Sequence, residues 1–210
     1  MEKLDLKKKY RNLYKPSTKE VDIVDVPLFQ FVMINGDIEE GKTPGNSPSF
    51  QQALEALYGI SYTLKFASKQ NKENPVDYTV MALEVLWWVD EGTFDIRHPG
   101  NWKWQAMIMQ PDHISQKMYQ NGLEALRKKK DNPAIEKMSL ETFHEGLSMQ
   151  MMHIGPYSEE PITLSKMDAF VNENRYVYHG RHHEIYLGDP RKAKPENLKT
   201  ILRHPVRTAE

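Results

Sequence analysis

Residues 182–190 read HHEIYLGDP, and an earlier stretch, residues 82–87, reads ALEVLW. In an extended chain, successive side chains point to opposite faces, so Ile185 points one way while Glu184 and Tyr186 point the other. One face of this strand is apolar, and the other carries a carboxylate and a phenol. The pattern therefore predicts a strand with the protein core on one side and a chemical site on the other.

Working outward, four segments predict a first structural module. PLFQFVMING, which starts at Pro27, is typical of a buried strand that ends at Gly36. Ser47 and Pro48 match the N-cap and the first position of a helix. Two strands follow, VMALEVLWWV and NWKWQAMIMQ, separated by the turn-rich residues 90–100. The predicted order of elements is βαββ.

The same order begins again after a polar helix, which we expect at about residues 112–129. The strand GLSMQMMHI leads through a Pro-containing loop into a helix, and HHEIYL and LKTILRHPV close the module. We predict an α+β fold of tandem βαββ modules, about 27–110 and about 145–207, with pseudo-two-fold symmetry around a ligand groove. Aligning ALEVLW with HHEIYL predicts that Glu84 and Glu184 face this groove from opposite halves.

Composition limits the classes of function. The 210 residues contain 28 Lys plus Arg and 29 Asp plus Glu, a net charge of −1, so no global field recruits nucleic acid or an anionic membrane. No stretch reaches the roughly 18 apolar residues of a membrane span, and the N-terminus lacks an apolar signal region. We expect a cytoplasmic protein, with a charged, solvated arm over residues 1–20 and one ligand-binding domain over residues 21–210.

Several catalytic chemistries are absent from the sequence. Without cysteine there are no disulfides, thiolate nucleophiles or Cys-based zinc sites. The histidines at 182 and 183 point to opposite faces, and there is no HExxH, GxSxG, GxGxxG or P-loop motif. We therefore predict no metal and no cofactor, and expect catalysis to rest on carboxylates, histidine, tyrosine, serine or lysine.

Aromatic residues favour a flat ligand. The four tryptophans all lie between residues 87 and 104. Trp88 shares its strand parity with Glu84, away from the apolar parity that we expect under the helices. Such planar side chains suit a flat apolar compound. Two points stay open. In the alternative interpretation, Trp88 packs against another strand and Glu84 forms a surface salt bridge. The sequence also leaves open which side of their strand Trp102 and Trp104 face.

Several motifs together resemble one known family. HIGPY at residues 153–157, HHEIYLGDP at 182–190 and LKTILRHPV at 198–206, with LEVLWW and WKWQAMIMQP upstream, are similar to the stand-alone GyrI-like (gyrase-inhibitor-like) small-molecule-binding proteins. The resemblance covers roughly residues 20–208. It implies paired βαββ modules, the fold also used as the effector-binding domain of some transcription regulators. Relatives often have LEGLWW, where this chain has Val85 in place of the glycine.

The resemblance also implies site residues and a reaction. The family's groove glutamate corresponds to Glu184, and its aromatic lining to Trp88, Trp104, Tyr157 and Tyr186; Glu84 is carried over as a further ligand-binding residue. Members similar to this chain are associated with hydrolysis of cyclopropanoid, DNA-alkylating natural products, whereas others only bind ligands.

From these residues we expect Glu184 to act as a base and Tyr186 to donate a hydrogen bond to the carbonyl of a planar substrate. Two alternatives remain. One is a non-catalytic multidrug-binding or sequestering module, in which the glutamate pairs with a cationic drug. The other is a protein-interaction role such as gyrase inhibition, through a surface that the sequence does not reveal.

Overall fold

The structure, a computed structural model, describes residues 3–96 and 101–209. The end of the predicted turn, residues 97–100, lies outside the described residues. The helices are α1 Leu6–Lys9, α2 Arg11–Tyr14, α3 Pro48–Lys69, α4 Gln116–Arg127 and α5 Glu160–Glu173. The strands are β1 Asp22–Asp37, β2 Leu83–Trp88, β3 Lys103–Gln110, β4 Ser139–Ile154, β5 Tyr176–Tyr178, β6 His182–Tyr186 and β7 Lys199–Thr208.

Six strands form a closed antiparallel barrel. Their order is β4-β1-β3-β2-β6-β7, and pairing of β4 with β7 closes the ring, while β5 adds to the free edge of β7. The modules β1-α3-β2-β3 and β4-α5-β6-β7 meet at two seams, where β1 pairs with β4 and β2 pairs with β6. The predicted α+β fold of tandem βαββ modules is thereby confirmed.

Two strands begin earlier than the sequence pattern indicates. β1 starts at Asp22 rather than Pro27, and β4 starts at Ser139 rather than near residue 145. The additional residues of β1 pair with β4 as Asp22↔Gln150 through Val26↔Gly146, and those of β4 pair with β1 as Leu28↔His144 through Met33↔Ser139. Backbone hydrogen bonds maintain these outer parts, where many side chains are exposed and the apolar alternation is weak. The sequence therefore predicts only the buried part of each strand.

The long helices cover only part of the barrel wall. α3 packs over β1 and β3, and α5 packs over β4. Ser47 caps α3 as predicted, because its hydroxyl accepts a hydrogen bond from the Phe50 amide at 3.2 Å. β2 and β6 consequently lie side by side in the gap between the two helices. We call this gap, floored by β2 and β6, the central groove.

The N-terminal segment contributes to the core, although the sequence predicts a solvated arm over residues 1–20. Its buried side chains include Leu6, Leu13 and Tyr14. The Tyr14 hydroxyl donates to Glu84 Oε1 at 2.6 Å, and the Leu13 carbonyl accepts from Arg203 Nη2 at 2.8 Å. The segment therefore packs against the barrel and supplies hydrogen-bond partners to polar groups that are buried inside it.

Charged side chains compensate one another inside the barrel. His183 Nε2 lies 3.2 Å from Glu84 Oε2, and His183 Nδ1 lies 2.9 Å from Glu145 Oε1. Arg203 Nη1 lies 3.2 Å from Glu145 Oε2. Burial by itself lowers the pKa of His183, but the charges of Glu145 and Glu84 outweigh it and raise this pKa to about 9. The charges of His183 and Arg203 thus balance those of the two glutamates.

A break in strand alternation brings Glu145 into this network. Gln150 accepts hydrogen bonds from Arg203, so Gln150 and Glu145 contact the same interior side chain although they are five positions apart. Strict alternation would place them on opposite faces. Gly146 lies between them with a φ of 74°, a left-handed conformation that favours glycine.

None of the helices within residues 3–96 and 101–209 has the length and apolar character needed to cross a bilayer.

The interior network predicts a fall in stability at alkaline pH. His183 has a pKa of about 9 when folded, against an ordinary value of 6.5. The stabilisation that protonated His183 contributes is complete below pH 6.5 and is lost as pH rises through 9. Between these two pH values, only the folded state keeps the proton on His183. We expect the free energy of unfolding to decrease by up to about 3 kcal/mol, measured by urea titration across this window.

Two variants control this experiment. His144→Gln removes an exposed histidine of β4 and should keep the wild-type pH dependence. His183→Gln removes the buried imidazole, so its stability should be lower and should vary little between pH 6.5 and 9. A wild-type stability that is constant or increases across this window would contradict the assigned role of His183.

Candidate functional site

Glu184 faces the central groove from β6. Its carboxylate is held on both sides: the Tyr186 hydroxyl donates a short hydrogen bond to Oε2, and His182 Nε2 lies 3.1 Å from Oε1. The Trp87 indole in turn donates to the Tyr186 hydroxyl oxygen at 3.3 Å. These side chains come from adjacent positions of β2 and β6, so the antiparallel pairing of the two strands builds the site.

Tyr186 has a different hydrogen-bond partner from the one that the sequence suggested. Its hydroxyl can donate one hydrogen bond, and Glu184 accepts it. Burial, followed by the charges of Glu184 and Glu160, raises the pKa of Tyr186 well above its ordinary value. Tyr186 therefore stays protonated and positions the carboxylate, and it cannot at the same time donate to a ligand carbonyl.

Aromatic side chains cover Glu184. The Tyr157 ring lies 5.7 Å from the Tyr186 ring in an edge-to-face contact, and Phe94 stacks on His182 with 5.5 Å between ring centroids. Glu184 is only 5% exposed, whereas Tyr157, in the turn before α5, is 38% exposed. A ligand that reaches the carboxylate must therefore replace contacts made by these rings, and Tyr157 is the accessible one.

Glu160 is a second carboxyl group at the site, and the sequence interpretation did not include it. It is the first residue of α5 and is 1% exposed, and its Oε1 has no hydrogen-bond partner among the described residues. Burial, together with the charge of Glu184, raises the pKa of Glu160 to about 10. The helix N-terminus favours its ionised form by only about 0.3–1 kcal/mol, which is too little to reverse this. Glu160 is therefore protonated at neutral pH.

The sequence does contain a signal for Glu160. Residues 160, 163, 167 and 171 are the buried positions of α5, spaced at helical intervals. In PYSEEP, the second of the two glutamates falls on this stripe, whereas Glu159 is exposed. A carboxyl group at the end of an apolar helix stripe is a candidate functional residue.

Glu84 does not face the groove, so its predicted pairing with Glu184 across the groove is wrong. Residues directly opposite each other in antiparallel strands point to the same face. Glu184 is opposite Val85, and Glu84 is opposite Ile185. The two glutamates therefore lie on opposite faces of the barrel wall, and Glu84 joins the interior network. A two-fold axis through the β2–β6 seam relates residues that point to the same face of the barrel wall. The alignment of ALEVLW with HHEIYL matches residues of opposite faces, so it is out of register by one residue.

Trp88 and Trp104 also lie away from Glu184. Trp88 is on the opposite face of β2 from Trp87, with the Arg181 guanidinium 3.6 Å from its ring centroid. Trp104 is 1% exposed and packs beneath α3 against Phe50, with 5.1 Å between ring centroids. The tryptophan at the site is Trp87, which the sequence placed under the helices. It does pack on α3, but its indole nitrogen reaches Tyr186.

Two other kinds of site can be compared with the Glu184 site in the described residues, a metal site and a surface cavity. No group of three or more histidine or acidic side chains within residues 3–96 and 101–209 is arranged to hold a metal ion. A cavity of about 420 Å³ lies beside α4, lined by residues that include Tyr119, Arg127 and Glu141. It shares no lining residue with the Glu184 site, and Arg127 is already paired with Glu136.

Comparison with known proteins identifies relatives over the whole chain. A family model described as the GyrI-like small molecule binding domain matches residues 19–207. The crystal structure of an uncharacterized conserved protein from Listeria innocua is 36% identical, with a TM-score of 0.88 over 98% of this chain and 100% of that chain. A hydrolase from Listeria innocua is 33% identical, with a TM-score of 0.81 over the same shares. No curated protein matches the chain.

A more distant structure shares the fold alone. The C-terminal domain of EcmrR is 11% identical to this chain and has a TM-score of 0.55, over 90% of this chain and 98% of that domain.

The site geometry makes opposite predictions for two aromatic residues. Tyr157→Ala should weaken binding of a flat aromatic compound by about 1–3 kcal/mol, because it removes the accessible ring beside Tyr186. Trp88→Ala should leave affinity unchanged, because Trp88 lies on the other face of β2. Calorimetric titration of both variants measures this, and a loss of affinity for Trp88→Ala without one for Tyr157→Ala would place the ligand elsewhere.

Proposed function

Because this chain belongs to the GyrI-like small-molecule-binding family, we propose that it binds planar aromatic compounds and hydrolyses those that carry an activated cyclopropane, as duocarmycin-type alkylating agents do. Such an activity would remove electrophiles before they reach DNA. The observation that carries the proposal is a carboxylate held by Tyr186 and His182 beneath a cover of aromatic rings. The hydrolases from Listeria innocua, at 33% and 34% identity, support a hydrolytic reaction.

The aromatic cover supports binding of a flat, largely apolar ligand. Tyr157 lies edge-to-face on Tyr186, and Tyr58 of α3 is half-buried beside Leu83 on the other side of the groove. Burial raises the pKa of both Tyr157 and Tyr58, so both phenols are neutral at physiological pH. Neutral aromatic walls on both sides favour stacking on a planar ring system.

Glu184 is placed to activate water in this proposal. Its carboxylate takes a proton from the water while the water oxygen forms a bond to the methylene carbon of the cyclopropane. The strained carbon–carbon bond breaks, and its electron pair moves into the conjugated ring system and onto the carbonyl oxygen. That oxygen takes up a proton to give a phenol, so the net change is addition of one water. Tyr186 and His182 keep the carboxylate oriented during the attack.

The competing function is ligand binding without turnover. A carboxylate beneath aromatic rings also suits a cationic aromatic drug, through charge pairing and cation–π contacts. In that case the compound recovered after incubation is unchanged, whereas hydrolysis increases its mass by one water. Mass spectrometry of a cyclopropane-bearing, duocarmycin-type compound incubated with the protein therefore separates the two functions.

The Glu184→Gln variant tests the role of the carboxylate. Glutamine keeps the size of the side chain but cannot take a proton from water, so ligand affinity should stay close to wild type while single-turnover hydrolysis slows by about 10²–10⁴-fold. A cation-pairing role predicts instead that affinity falls for cationic ligands and hardly changes for neutral ones.

Glu196→Gln is the matched control for this experiment. Glu196 is an exposed glutamate on the turn between β6 and β7, and its replacement should change neither affinity nor rate. Hydrolysis by Glu184→Gln at the wild-type rate would exclude Glu184 as the base.

A further inference from the structure

The proposed reaction needs a proton donor that Glu184 and Tyr186 do not supply. Opening of the cyclopropane moves an electron pair to the ligand's carbonyl oxygen, which must be protonated or neutralised. The Tyr186 hydroxyl donates its hydrogen bond to Glu184. The Trp87 indole N–H is directed at the Tyr186 oxygen. Neither donor is therefore free for the ligand.

Glu160 has the properties of the missing donor. Its side chain is almost completely buried, and its Oε1 has no partner among the described residues. The turn that leads into α5 brings Tyr157 against Tyr186, so the first residue of α5 starts beside the end of β6. Burial, and after it the charges of Glu160 and Glu184, raise the pKa of Tyr157 and of Tyr186, as expected when all four groups share one cluster.

Burial and the charge of Glu184 favour the neutral form of Glu160 and outweigh the interaction with the Thr200 hydroxyl, which lowers the pKa of Glu160. Glu184 and Tyr186 face it from β6, and Tyr157 from the preceding turn. His153 on β4 is turned to other partners, Thr163 and the Pro156 carbonyl, at 2.9 and 3.2 Å. Two carboxyl groups that share one buried site do not both ionise, and Glu184 is the one that accepts a hydrogen bond from the Tyr186 hydroxyl.

We infer that Glu160 is a catalytic acid, which holds a proton at neutral pH and gives it to the ligand's carbonyl oxygen as the cyclopropane opens. This inference rests on the proposed hydrolytic function and assigns a donor within the same site. Glu184 and Glu160 then have separate tasks, since one removes a proton from water and the other delivers a proton to the ligand's carbonyl oxygen. Opposite roles for two carboxyl groups follow from their different environments.

The proton balance closes over one turnover. Before reaction, Glu184 is ionised and Glu160 is protonated. Water gives one proton to Glu184 and its oxygen to the ligand, and Glu160 gives one proton to the phenol oxygen. Glu184 is then protonated and Glu160 ionised. Transfer of the proton from Glu184 to Glu160, directly or through solvent, restores the starting state without any further reactant.

Infrared spectroscopy tests the protonation state without any substrate. The wild-type protein at neutral pH should show the carbonyl stretching band of a buried carboxylic acid, and isotope labelling of glutamate should shift it. The Glu160→Gln variant should lack this band. Glu159→Gln is the matched control, because Glu159 is the preceding, exposed residue, and its replacement should leave the band unchanged. If the wild-type band is absent or survives in Glu160→Gln, the inference is wrong.

Single-turnover kinetics test the catalytic role. Glu160→Gln should bind a duocarmycin-type compound as tightly as wild type but hydrolyse it about 10²–10⁴-fold more slowly, whereas Glu159→Gln should match wild type. Glu160→Asp, which keeps an acid, should recover part of the rate. The wild-type rate should fall as pH rises past about 10, where Glu160 loses its proton, and the residual rate of Glu160→Gln should not show this fall.

The outcomes separate this inference from the proposed function. If wild-type protein binds the compound but does not convert it, the proposed hydrolysis fails, and the donor role fails with it. If wild-type protein hydrolyses the compound and Glu160→Gln does so at the same rate, the hydrolytic function stands and only the donor role is rejected.

Discussion

The antiparallel pairing of β2 with β6 determines which face of the barrel wall the glutamates of these two strands occupy. This pairing joins the two βαββ modules and places Glu184 opposite Val85 and Glu84 opposite Ile185. A shift of one residue in the register would place both glutamates on the same face of the barrel wall. The register therefore separates two buried carboxylates that lie on adjacent strands, with one inside the barrel and one in the central groove.

The carboxylates on the two faces of the barrel wall have different electrostatic environments. Inside the barrel, Glu84 and Glu145 are balanced by His183 and Arg203, and removal of one partner from such a buried pair typically costs about 3–5 kcal/mol. In the groove, Glu184 faces another carboxyl group, Glu160, whose pKa is raised to about 10. The interior arrangement stabilises the fold. The groove arrangement opposes ionisation of one group and so favours a functional explanation.

The sequence predicts those features that depend on local patterns. Ser47 and Pro48 mark the start of α3, and the alternation in HHEIYL assigns Glu184 and Tyr186 to one face. The sequence does not predict the face of Glu84, because alternation along one strand gives no register with its neighbour. The role of the N-terminal segment was equally hidden, since Tyr14 acquires its partner Glu84 only when distant strands close the barrel.

The interior network also explains how the groove carboxylate is held in place. His183 and Glu184 are consecutive residues of β6, so the ion pairs that fix His183 on the inside restrain the backbone that carries Glu184 on the outside. On that outer face, His182 and Tyr186 then hold the carboxylate from either side. A base must be positioned before the water attacks, and rigid strands achieve this more accurately than loops. Stability and site geometry in this protein therefore depend on the same short strand.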